Sequence, residues 1–140
     1  MSLMMSLYRK SRLFTLLLLC SLTGMAANAA EDGAPAAAYI ELQPTFVVNH
    51  LGNDARLKYI KTSISIRTDE TKKDLIEANM PLVRDALVMF LSSRTTEQVT
   101  GAIAREKTRE EAAIAVNGAL KEETGLEPVK DILFASFVTQ

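Results

Sequence analysis

The stretch Leu57–Thr68, LKYIKTSISIRT, limits the fold more than any other part of the chain. Its residues alternate with period two. Lys58, Ile60, Thr62, Ile64, Ile66 and Thr68 lie on one side, and Leu57, Tyr59, Lys61, Ser63, Ser65 and Arg67 on the other. Successive side chains of a strand point to opposite faces, and β-branched residues favour that pleated surface, so the run predicts a strand with one buried face. An isoleucine face of this kind needs an apolar cover. The segment Asp69–Ser93 supplies a helical stripe of about the right size, which makes a sheet covered on one side by helices the expected architecture.

The segments around this strand fit the same plan. Tyr39–Asn49 reads as a first strand. It is interrupted by Pro44, which cannot donate to a ladder and is therefore expected at an edge or a bulge. The turn-rich His50–Ala55 closes a hairpin onto Leu57–Thr68. Thr68 or Asp69 is placed to cap the next helix. In that helix Ile76, Met80, Val83, Leu87 and Phe90 step as one buried face. Pro81 predicts a break near Asn79–Met80 and suits the first turn of a helix over Pro81–Leu91. Thr95 and Gln98 have capping-box spacing. Gly101 separates a short helical turn from a long helix whose inner face is Ala104, Thr108, Ala112, Val116 and Leu120, and Thr124-Gly125 ends that helix. Val129–Gln140 is a final strand. It is apolar on both faces, as an inner or well-covered strand would be.

The fold class expected is therefore α+β: a small, mainly antiparallel three-stranded sheet, two strands N-terminal and one C-terminal, covered by two to three helices. Residues 1–30 form a signal peptide or short membrane anchor, 31–38 a linker, and 39–140 the domain. Arg9, Lys10 and Arg12 precede the apolar run Leu13–Leu22, and small residues follow, with Ala27-Asn28-Ala29 preceding Ala30 as an A-x-A cleavage site. A membrane span needs about 20 apolar residues, which this run reaches only if Thr23–Ala30 joins it. Cleavage leaves a soluble domain, and retention leaves a tethered one.

Composition excludes several function classes. Without the first thirty residues, thirteen basic residues face seventeen acidic ones, a formal charge of −4. An acidic domain with no basic patch argues against nucleic acid as a partner. The only cysteine, Cys20, lies in the leader, so the domain has no disulfide, thiol nucleophile or cysteine metal site. The single histidine, His50, reads as a solvated turn residue and offers no histidine cluster for zinc. No glycine pattern makes a phosphate loop. Adjacent pairs such as Glu110/Glu111 and Glu122/Glu123 do not face each other on a helix, which argues against paired acid–base work. No catalytic, cofactor-binding or metal-binding residue is assigned, and no cofactor. Arg84 and Asp85 read as a local surface pair, with an interface contact as the alternative. Asn117 intrudes near the Ala112/Val116/Leu120 face and is the candidate structural polar residue, either bonded to a strand end or loop or exposed on its helix.

The order of segments resembles the flagellar basal body-associated FliL family. The resemblance is carried by YIELQPTFVVN, RLKYIKTSISIR, MPLVRDALVMFLSSRTTEQV, AREKTREEAAIAVNGAL and the closing VKDILFASFVTQ, and it covers Tyr39–Gln140. It implies a stomatin-like (SPFH-like) fold in the periplasm or on the periplasmic face of the inner membrane. It also implies a non-enzymatic role supporting the stator and motor in swimming or swarming. The implied partners are flagellar stator proteins, the basal body and further copies in a homo-oligomeric ring, with the inner membrane added if the leader is retained. Family members carry a fuller membrane helix and longer linker than the leader here. A periplasmic stomatin-like binding module acting outside the motor is the alternative. A small hydrolase is the weakest reading, given one histidine and no cysteine in the domain.

Overall fold

A computed structural model describes residues 33–52 and 56–140. In chain order, the structure runs through strand β1 (Ala37–His50), strand β2 (Lys58–Asp69) and a single 3-10 turn, Glu70–Lys72. Helices α1 (Lys73–Ala78), α2 (Met80–Ser92), α3 (Thr96–Val99) and α4 (Ala102–Thr124) follow, and strand β3 (Asp131–Thr139) comes last. Among the described residues the fold is α+β, with one three-stranded antiparallel sheet and four helices.

The sheet order is β1-β2-β3, with both neighbours antiparallel to β2. The alternation read from sequence sets the buried face of β2: Ile60, Thr62, Ile64, Ile66 and Thr68 are all buried. Facing them are Val83, Leu87 and Leu91 of α2 and Ala112, Val116 and Leu120 of α4, joined by Ile40, Leu42, Phe46 and Val48 of β1 and Ile132 of β3. Helix α2 lies over β1, and α4 lies over β3. Burying a Leu or Ile side chain contributes about 1.5–3 kcal/mol, so this two-layer core is the main source of stability.

Both outer strands bulge beside the same step of β2. Leu42 pairs with Ile64 and Phe46 with Thr62, so Gln43–Thr45 loops out of register, with a cis peptide before Pro44. On the other side Ser136 pairs with Ser63 and Phe134 with Ile64, which leaves Ala135 as an extra residue. Bulges bend a strand and increase its twist, and paired bulges flanking Ser63 curve the sheet around its helical cover.

The helical punctuation follows local chemistry. Helix α1 ends at Ala78, Asn79 stands between the helices, and Pro81 occupies the first turn of α2, where its missing N–H has no partner to lose. Thr95 and Gln98 form a reciprocal capping box. Gly125 closes α4 with φ of 76°, a left-handed conformation that side-chain-bearing residues rarely adopt.

Three expectations need correction. The last strand is an edge strand, because β2 takes the centre. Its bulge also reverses the face alternation: Phe137 joins Ile132 and Phe134 on the helix side, while Ser136 and Val138 face outward. The helix after β2 has no side-chain cap from Thr68 or Asp69. Thr68 Oγ1 instead donates to Pro128 O at 2.6 Å, and Asp69 Oδ1 accepts from Lys130 Nζ at 2.6 Å, because both partners lie on the segment leading into β3. His50 is buried, not solvated. Strand β1 runs one residue beyond Asn49, and Leu51 N donates to Arg94 O at 3.0 Å, drawing the α2–α3 connection alongside the strand end.

Candidate assembly surface

The described surface differs most at the two edges of the sheet. Edge strands expose unpaired backbone groups, and folded proteins usually blunt them with proline, bulges, charge or a covering side chain. The β1 edge has three of these devices in one place. Pro44 sits within the Gln43–Thr45 bulge, and Arg84 Nη2 of α2 donates to Pro44 O at 2.9 Å. The Arg84 guanidinium also lies 4.2 Å over the centre of the Phe46 ring, a cation–π contact that fixes its reach.

Of these devices strand β3 shares only the bulge, at Ala135. Ile132–Gln140 contains neither charge nor proline nor glycine. Tyr59 and Gln140 exchange backbone bonds at 3.0 Å each, so antiparallel alternation turns the backbone groups of Thr139 and Phe137 away from β2, toward the free edge. Beside this edge, an open hollow of about 350 Å³ is lined by Ala102, Arg105, Glu106 and Arg109 of α4 and Phe134–Phe137 of β3. Its aromatic floor is the Phe134–Phe137 pair, with ring centres 4.9 Å apart and tilted by 56°.

Arg109 organises the rim of this hollow. It binds Glu106 one turn earlier on α4, with Nε donating to Oε2 at 3.0 Å, and it also binds Asp131 at the start of β3. Asp131 in turn lies 3.9 Å from Arg67 of β2 and accepts from Ile132 N at 2.9 Å. The hydrogen bond from Arg109 holds the Glu106 carboxyl below its usual titration range, and the same bond raises Arg109. This network ties α4, β2 and β3 together at one corner of the sheet.

Asn117 anchors the entry to β3 from the other side. Its Nδ2 donates to Val129 O at 2.8 Å and its Oδ1 accepts from Val129 N at 2.9 Å, so one side chain satisfies both backbone groups of a buried loop residue. The cleavage residues Ala27, Ala29 and Ala30 lie outside the described residues. Arg84 does not pair with Asp85: its stack on Phe46 and its bond to Pro44 take the guanidinium toward β1. Sequence reading missed the Arg109 hub and the Arg84 clamp. Both join residues distant in sequence, and the only local signal, Glu106 three residues before Arg109, is common on exposed helices. Among the described residues, no group of three or more His, Cys, Asp or Glu side chains is gathered to hold a metal ion.

Together these features define a small two-layer α+β module with one guarded and one open sheet edge. The chain belongs to the family described as flagellar basal body-associated protein FliL, which it matches over residues 39–140. It is also similar to the flagellar protein FliL of Aquifex aeolicus (strain VF5), 28% identical over 101 residues. That match takes in 71% of this chain and 60% of the relative, so the chain spans less than two thirds of the relative's length. Among the described residues, no helix is long and apolar enough to cross a membrane.

Proposed function

We propose that this chain is a non-enzymatic accessory of the flagellar motor that supports the stator during swimming and swarming. The observation that carries the reading is the family match across residues 39–140, which takes in nearly all of the described residues. The domain then has a stomatin-like (SPFH-like) build and works on the periplasmic side of the inner membrane, held there by an uncleaved leader or released after cleavage at Ala27–Ala30. Its partners are stator proteins, the basal body and other copies in a ring. The mechanism is stoichiometric: the domain binds the engaged form of the stator better than the free form and so shifts the population toward engagement.

Two features support work by contact. The hollows on the described surface are open, and Arg109, which lines two of them, is engaged with Glu106 and Asp131. The β3 edge offers a row of free backbone groups of the kind used when a strand is added to a sheet.

The test is deletion of the coding region and complementation in a flagellated host. The expected result is normal filament number with reduced swarming and reduced rotation under viscous load. Normal motility in soft agar and under load overturns the reading. If other envelope proteins are captured from cross-linked envelope fractions and stator proteins are not, the domain works outside the motor.

A further inference from the structure

Helix α4 carries two isoleucines where a solvated helix face has no use for them. Ile103 is 89% exposed and Ile114 is 70% exposed. Their spacing of eleven residues is close to three helical turns, so they share one stripe, about 16 Å long. The stripe lies opposite the buried face of Thr108, Ala112, Val116 and Leu120, and between the isoleucines it carries Lys107 and Glu110.

We propose that this stripe is a docking surface for the same stripe of a second copy, with the two α4 helices antiparallel across a two-fold axis. The self-complementarity of the sequence argues for that occupant. The two-fold that sets Ile103 against the second copy's Ile114 also sets Lys107 against the second copy's Glu110. Each contact occurs twice, as an isologous interface requires. A parallel arrangement in register would instead oppose Lys107 to Lys107 and Glu110 to Glu110. Glu106 and Glu111 flank the stripe on its two opposite margins. Both of those carboxylates already have basic partners: Arg109 for Glu106, and Arg94 at 2.5 Å with Lys107 at 3.8 Å for Glu111. The surface also has a seat. An open hollow of about 640 Å³ lined by Ala102, Ile103, Glu106, Lys107 and Glu110 lies where the second copy's Ile114 arrives. An isologous contact closes on itself, so this pairing makes a dimer and any larger ring needs a different surface.

The inference goes beyond the motor reading and does not depend on it, since its test reads association and the other reads motility. The experiment is sedimentation velocity on the purified full chain over a concentration series reaching roughly millimolar, with circular dichroism confirming the fold of each variant. The parent chain is expected to dimerise. Ile103→Asp and Ile114→Asp should each raise the dimer dissociation constant at least ~10-fold, as expected for losing buried isoleucines at both ends of the contact. Lys107→Glu or Glu110→Lys alone should weaken pairing several-fold, because each sets like charges against each other twice. Mixing those two reversed chains should restore association to within about twofold of the parent, as a heterodimer, since opposite charges then meet again. The mixing arm separates this contact from any association driven by the leader. The proposal is overturned if the parent stays monomeric throughout, if the Asp variants associate like the parent, or if mixing the reversed chains restores nothing.

Discussion

The two edges of the sheet receive different treatment from the same chain. Strand β1 ends its side of the sheet with a proline, a bulge and an arginine brought across from α2, so its outer backbone groups are obstructed near the middle of the strand. Strand β3 also bulges, at Ala135, but ends the other side with an uncharged run and an aromatic hollow, with no proline. Proteins blunt edges to prevent pairing with other chains. The outward backbone groups of β3 stay accessible where those of β1 are obstructed. The difference also shows how each edge is held. The β1 edge is pinned by one side chain acting on a carbonyl. The β3 edge is pinned at its start, by Asn117 on Val129 and by the Arg109–Asp131–Arg67 network, while its far end is held by the Tyr59–Gln140 pair, with Tyr59 Oη donating to Gln140 Oε1 at 2.5 Å.

The comparison can be broken or sharpened by mutation. The largest effect should come from the strand that both edges share. Ile64 is fully buried between the two bulges, so Ile64→Ala should cost about 2–5 kcal/mol and loosen β1 and β3 together. Urea unfolding followed by circular dichroism measures the loss, and a cost below about 1 kcal/mol contradicts the packing described here. Next comes the entry to β3. Asn117→Ala leaves both backbone groups of a buried residue unpaired and should cost about 1–3 kcal/mol. Amide exchange should quicken along β3 while β1 keeps its protection. Equal loss on both edges would mean that Asn117 is not specific to this one.

Arg84→Ala should then open the β1 edge, with a cost of about 1–2 kcal/mol from the lost carbonyl bond and the lost contact with Phe46. Arg84→Lys should recover little, since an ammonium has no planar face to lay on the ring. Exchange at Phe46–Val48 reports the change, and a fully rescuing lysine would show that only the charge matters. The smallest effect concerns pH. Glu106 titrates below its usual value of 4.5 in the folded chain because Arg109 binds its charged form. The stabilisation it provides is therefore present above that value and fades as pH falls through the lower, folded one. Glu106→Gln should flatten the acid limb of the stability curve slightly, and an unchanged curve would remove this pair from the account. The carboxylate is exposed, so the effect is small beside the others.

Much of the architecture was legible before any coordinates. The β2 alternation, the break before Pro81, the Thr95–Gln98 box and the Gly125 stop are written in neighbouring residues, where periodicity and backbone preference act within a few positions. Arg84 illustrates the opposite case. Nothing near it in sequence announces Pro44 or Phe46, forty residues earlier. The bulge at Ala135 is similar: a one-residue slip reverses the faces of β3, and only pairing with β2 reveals it.

By itself the sequence determined which segments are strands and helices, where they stop, and which face of β2 is buried, because those choices depend on side-chain period and local capping. Tertiary structure alone decided that β3 lies at an edge, that His50 is buried, and that the edges are guarded unequally. Each of those outcomes depends on which distant segment arrives alongside, and a linear pattern carries no term for that.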